Sequence, residues 1–187
     1  MNVSFEELIA AMPEFELFYD VNLKEKVLCI WQKACAQSDW ESIHDMRAVS
    51  TYDPRERPCE SLIHHTRYVT NAAYECGKVN NRMMPEQVNL DYILAGALLH
   101  DVCKIVEKGP NGFSDWGKHI THGILSICYG WEENLPVEVL HIITAHTNNL
   151  NMPTRTREAA IVHHCDYLAG DCMHLAHGRL AGGRRLK

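Results

Sequence analysis

Asn89-Leu-Asp-Tyr-Ile-Leu-Ala-Gly-Ala-Leu-Leu-His-Asp-Val102 begins with a residue that caps helices, runs into an apolar stretch, and closes on a histidine and an aspartate. Asn89 offers a side-chain acceptor to the first free backbone amides, which predicts a helix running to Val102. Its second half, Leu94 to Leu99, is apolar on every side, so this helix belongs at the centre of the molecule. A central helix of this kind needs other helices around it, and the flanking sequence supplies them. Upstream, Leu62, His65, Val69, Ala72, Ala73 and Cys76 recur at steps of three and four from Ser61 to about Lys78, one helical stripe on which His65 faces inward. Downstream, the spacing predicts helices at about 118–130, 136–146 and 156–174, the second with Pro136 in its first turn.

Nearer the start, Ser4-Phe-Glu-Glu7 has the capping-box pattern and Asn22-Leu-Lys-Glu25 a looser form of it, predicting helices over 5–12 and 23–37. A short helical piece is expected from Trp40 to Met46, and an irregular connection from Ser50 to Pro58. Gly109-Pro110-Asn111-Gly112 marks a turn inside a loop from Glu107 to Gly117. No stretch longer than four residues alternates with a period of two. The fold class is therefore all-α: a single-domain helical bundle over 1–187, with an N-terminal helical extension (1–58), a core (59–174) and a basic tail (175–187) expected to be mobile.

The chain has 187 residues, 46% hydrophobic and 22% charged, with a formal net charge of −6. That composition suits one globular domain and excludes disordered and fibrous classes. Basic residues cluster only at Arg179, Arg184, Arg185 and Lys187, which argues against a nucleic-acid partner. No apolar run approaches the length of a membrane span, which argues against a membrane partner. The opening Met-Asn-Val-Ser-Phe-Glu-Glu is acidic where a secretion signal is basic, so a cytoplasmic location is expected. The eight cysteines contain no Cys-x-x-Cys pair and read as reduced thiols. The four tryptophans, Trp31, Trp40, Trp116 and Trp131, read as core or interface residues, with the core as the default.

Twelve histidines raise the question of which share a site. Two His-Asp dipeptides occur where chance predicts fewer than one, so the dipeptide alone says little. His44-Asp45 has polar neighbours and serves as an internal control. His100-Asp101 ends the apolar run, where an ionised aspartate is costly unless a partner such as a cation meets it. His146 shares a stripe with Val139, Ile142 and Ile143; His122 sits among Ile120, Ile124, Leu125 and Ile127; Asp166 lies one turn from Ile161 and Val162. A hydrogen bond to a backbone carbonyl, a cap or an arginine accounts for any one of these alone. Together they are four histidines and two aspartates on apolar stripes of five helices, all of metal-ligand type.

In order, His65-Thr-Arg-Tyr-Val69, Leu98-Leu-His-Asp-Val-Cys-Lys104, His122, His146 and Ile161-Val-His-His-Cys-Asp-Tyr-Leu168 resemble the HD-domain superfamily of metal-dependent phosphohydrolases. The resemblance covers about 60–172 and departs at Cys103, where the family usually has glycine. It implies that His65, His100, Asp101 and Asp166 bind one divalent ion and that His122 and His146 bind a second, with Asp101 bridging. His119, one turn before His122, is the alternative ligand. Two ions per chain are expected, drawn from Fe, Mn, Co, Ni and Zn. Such a pair can hold a hydroxide that attacks a small, anionic phosphorylated substrate such as a nucleotide or phosphomonoester. Asp101 and Lys104 are the candidate catalytic residues, Lys104 as a cation one turn beyond His100 that steers an anion. Lys118, Arg155 and Arg157 are weaker candidates for an anion clamp. The same ligand set resembles the di-iron oxygenases of the superfamily, and a non-catalytic metal- or ligand-binding module is a third reading.

Overall fold

The computed structural model describes residues 1–48, 61–147 and 150–178. The expected Ser50–Pro58 connection, Cys59 and the basic end from 179 lie outside the described residues.

Helix α1 (Phe5–Ala11) starts on the predicted capping box: Ser4 Oγ accepts from Glu7 N at 3.2 Å, and Ser4 N donates to Glu7 Oε2 at 2.7 Å. A short 3₁₀ turn (Pro13–Leu17) leads to α2 (Val21–Gln37), which is capped by Asp20 rather than by Asn22. Residues 40–46 form turns, not the expected helix. Long-range hydrogen bonds hold them instead, with the Trp40 indole donating to Lys108 O at 2.7 Å and Leu62 N donating to Met46 O at 2.8 Å.

Helix α3 (Leu62–Met83) continues past Lys78. Helix α4 (Leu90–Leu99) carries the Asn89 cap but stops before the predicted end at Val102. Its last turn tightens, with Val102 N on Leu99 O at 3.2 Å and Lys104 N on Asp101 O at 2.9 Å, and the chain re-enters helix as α5 (Lys104–Glu107). The predicted turn at 109–112 closes a two-residue hairpin of β1 (Lys108–Gly109) and β2 (Gly112–Phe113). Helix α6 (His122–Glu132) starts later than expected, after turns over 115–119. Helices α7 (Val137–Ala145) and α8 (Arg157–Ala176) follow, α8 reaching into the segment assigned to the tail. The fold is all-α.

Helix α4 is the hub, packed by α2, α3, α7 and α8. Leu94, Leu98 and Leu99 are fully buried, each contributing about 1.5–3 kcal/mol. Gly96 lets α7 approach: a Cβ there would sit 2.4 Å from Ile142 Cγ2. The N-terminal elements share the α4 core, and the buried Trp31 indole on α2 donates to Leu98 O at 3.0 Å. Trp116 and Trp131 are exposed, contrary to the default assignment, because each lies on a turn or helix face turned away from the core. The cysteines among the described residues are free, and no helix there is long and apolar enough to cross a membrane.

Candidate metal centre

The packing around α4 brings five chain segments to one point. His65 lies on α3, His100 and Asp101 leave the end of α4, His122 begins α6, His146 ends α7, and Asp166 lies on α8. Two groups of inward ligand atoms form, His65–His100–Asp101–Asp166 and Asp101–His122–His146, each with its atoms within 4.8 Å of one another. Asp101 belongs to both. Its Oδ2 lies 3.4 Å from His65 Nε2 and 3.3 Å from His100 Nε2, and its Oδ1 lies 3.3 Å from His122 Nε2 and 3.6 Å from His146 Nε2. Asp166 Oδ1 is 3.1 Å from His65 Nε2.

Three of the rings are held from behind. His100 and His146 sit at the C-terminal ends of their helices, where main-chain carbonyls lack helical partners. Each donates Nδ1–H to the carbonyl three residues back, Ala97 O and Ile143 O, at 2.6 Å. His122 donates Nδ1–H to Glu107 Oε2 at 2.8 Å. Carbonyls and carboxylates only accept, so the Nε2 lone pairs turn inward, the arrangement of metal-binding histidines. Asp101 Oδ1 and His146 Nε2 are buried with no hydrogen-bond partner, so two acceptor atoms face a space with no donor. A cation would supply what they lack. This donor set, nitrogen and carboxylate oxygen, is consistent with a divalent metal.

The electrostatics agree. Burial works against charge on Asp101, but Lys104 and His100 outweigh it and hold the carboxyl well below the usual range. Burial likewise opposes protonation of His65, yet the hydrogen bonds it donates to the Asp101 and Asp166 carboxylates lift it to about 9. Burial is the dominant influence on His146 and lowers it. Protons and a cation thus compete for the same nitrogens.

Lys104 Nζ lies 2.5 Å from Asp101 Oδ2 and 2.9 Å from Ala48 O, so its ammonium is engaged by the shared aspartate. Of the two histidines weighed for one position, His122 is buried in the cluster and His119 is exposed. His44 and Asp45 are both exposed and belong to neither group. Lys118 pairs with Asp115 and Arg157 with Glu86, carboxylates outside the cluster, and Arg155 is exposed. Glu107 is the site residue the sequence reading passed over. The sequence carries only a weak mark of it, an acidic residue directly after the apolar pair Ile105-Val106, and that mark does not name its partner.

A family model described as HD domain matches residues 62–171. The chain belongs to the HD-domain family. All six clustered residues lie inside the HD-domain match, and so do Lys104 and Glu107. A curated protein of Methanocaldococcus jannaschii, named dihydroneopterin 2',3'-cyclic phosphate phosphodiesterase, is 35% identical over 111 residues, covering 56% of this chain and 44% of that protein. The chain therefore spans less than half the length of this relative. No solved structure shows a significant match.

Proposed function

We infer that the chain is a metal-dependent phosphohydrolase acting on a small phosphorylated molecule, with His65, His100, Asp101 and Asp166 holding one divalent ion and Asp101, His122 and His146 a second. The observation that carries this reading is the pair of buried, partnerless acceptors, Asp101 Oδ1 and His146 Nε2, facing into a group of inward-turned imidazoles. Divalent ions held there lower the pKa of coordinated water and take up charge developing on a phosphoryl oxygen.

The chain's own residues account for the rest. Asp101 presents one oxygen to each group, so a single side chain can hold both positions at a fixed separation. Two ions opposite the three carboxylates of Asp101, Asp166 and Glu107, with Lys104 beside them, still leave surplus positive charge, which suits an anionic substrate. Lys104 is placed to attract a phosphate group and to keep Asp101 ionised. The phosphodiesterase name of the curated relative supports a phosphoester, cyclic phosphodiesters included, over an oxidisable substrate.

The test is a panel of nucleotides, phosphomonoesters and 2',3'-cyclic phosphodiesters offered to metal-replete protein, with metal content measured on the same samples. Phosphoester cleavage with about two ions per chain is expected. Asp101→Ala should abolish cleavage and lower metal content, whereas Asp45→Ala should change neither. Oxygen consumption with iron and no phosphoester cleavage would select the oxygenase reading. Equal behaviour of the two aspartate variants would overturn the site.

A further inference from the structure

His122 is held differently from the other rings in the cluster. His100 and His146 are fixed by carbonyls of their own helices. His122 is the first residue of α6 and has no such carbonyl behind it within the helix. Its Nδ1 meets a carboxylate from another element, Glu107 at the end of α5.

Glu107 is itself clamped. It is buried, its main-chain carbonyl accepts from Ser114 N at 3.0 Å, and Ser114 Oγ donates to the neighbouring Val106 carbonyl. Gly117 presses on the same carbonyl so closely that a Cβ there would lie 1.9 Å from the oxygen. The hairpin and the turn after it therefore fix the Glu107 main chain, and Glu107 fixes the ring. A carboxylate behind a metal-binding imidazole fixes the tautomer and makes the opposite nitrogen more basic.

We propose that Glu107 is a positioning residue for the second metal position, the one formed by Asp101, His122 and His146, and that the first position does not depend on it. This rests on the two-ion reading above. It assigns the loop from 108 to 117 a task as well: through the Glu107 carbonyl it sets the affinity of one ion of the pair.

The experiment is a zinc titration of the full chain by equilibrium dialysis, with wild type, Glu107→Gln, Glu107→Ala and Gly117→Ala compared. Wild type should bind two zinc ions. Glu107→Ala should weaken one of them by about 10- to 100-fold and leave the other at its wild-type affinity. Glu107→Gln keeps an acceptor for Nδ1–H without the charge and should fall between, a graded rescue that a packing role would not produce. Gly117→Ala leaves every clustered side chain in place and should weaken the same ion by displacing the Glu107 carbonyl. If Glu107→Ala fails to fold, the Gln and Gly117 variants carry the comparison. Two zinc ions with wild-type affinities in all variants would overturn the proposal while leaving the two-ion reading intact. Equal weakening of both ions would also overturn it, by making Glu107 a general structural residue. A single zinc ion in wild type, unchanged in the variants, would remove both readings.

Discussion

Lys104 is the residue whose position separates two roles. Its ammonium contacts the carboxylate shared by the two groups of inward ligand atoms, so removing it takes a positive charge from beside them, makes the local potential more negative and favours cation binding. Lys104→Ala should therefore keep its full metal content while turnover falls by about a hundredfold or more, the scale seen when a stabilising donor is lost. Steady-state kinetics and elemental analysis of one sample check this; loss of metal with the turnover would make Lys104 a support for the site instead. Two buried thiols give a pH prediction. Burial pushes Cys35 up to about 11 and Cys103 up to about 12, whereas an unfolded thiol ionises near pH ~8.5. The folded state thus favours the neutral thiol, and its advantage is complete below about pH 8.5 and lost as pH rises towards the folded values. The unfolding free energy from denaturant titration should fall from about pH 9 upward, by about 1.4 kcal/mol per pH unit for each thiol, and less steeply in Cys103→Ala. The clustered residues were legible because a polar residue inside an apolar run must face the core. Glu107 was not, since its partner lies across a turn and a hairpin whose path no local pattern states. Nor was the Ala48 carbonyl that meets Lys104, 56 residues away along the chain.

At the scale of elements, the crossing of α4 and α7 decides whether His100 and His146 meet; their ring centroids stand 5.2 Å apart. Gly96 sets that crossing. Gly96→Ala forces a Cβ into Ile142 and should cost about 1–3 kcal/mol, with weaker metal binding as α7 is pushed outward. Gly170, inside α8 with open space where a Cβ would go, is the control: Gly170→Ala should stabilise the protein by about 0.5–1 kcal/mol and leave metal binding alone. Thermal unfolding and zinc titration of the two variants distinguish a packing contact from a helix preference. The helices themselves were legible, because caps such as Ser4 and Asn89 and the period of the apolar residues are local signals. Their ends were not. Helix α4 stops at Leu99 because the tightened turn beyond it is stabilised by what His100 and Asp101 meet in space, and 40–46 is held by Lys108 and Leu62 as well as by a local turn at Ser42.

Over the whole molecule, Met12, Phe15, Leu28, Ile30 and Trp31 lie in the same buried cluster as Leu98, Leu99 and Val102. The N-terminal elements thus cover the side of α4 behind the clustered histidines, although the family match starts only at residue 62. A fragment beginning at Ser61 would expose that side and should show no cooperative unfolding transition by circular dichroism; a fragment that melts sharply would make the N-terminal part an appendage. The all-α class and the central place of α4 were legible from its all-round apolar sequence. Which face the first helices cover was not, because any amphipathic helix has an apolar stripe and the stripe does not name its partner. One contact made by those helices has an optical consequence. Of the four tryptophans, Trp116 is 56% and Trp131 74% exposed, whereas Trp31 at 0% and Trp40 at 9% are buried, so Trp31, like Trp40, should emit with a blue shift and be shielded from aqueous quenchers that reach the exposed pair. The Trp31 indole N–H is tied to Leu98 O, two residues before His100. The chain therefore carries an intrinsic chromophore hydrogen-bonded to the segment that delivers His100 and Asp101, and in a Trp40→Phe variant, after acrylamide has silenced the exposed indoles, the residual fluorescence should report charge arriving at the histidine cluster without any attached dye.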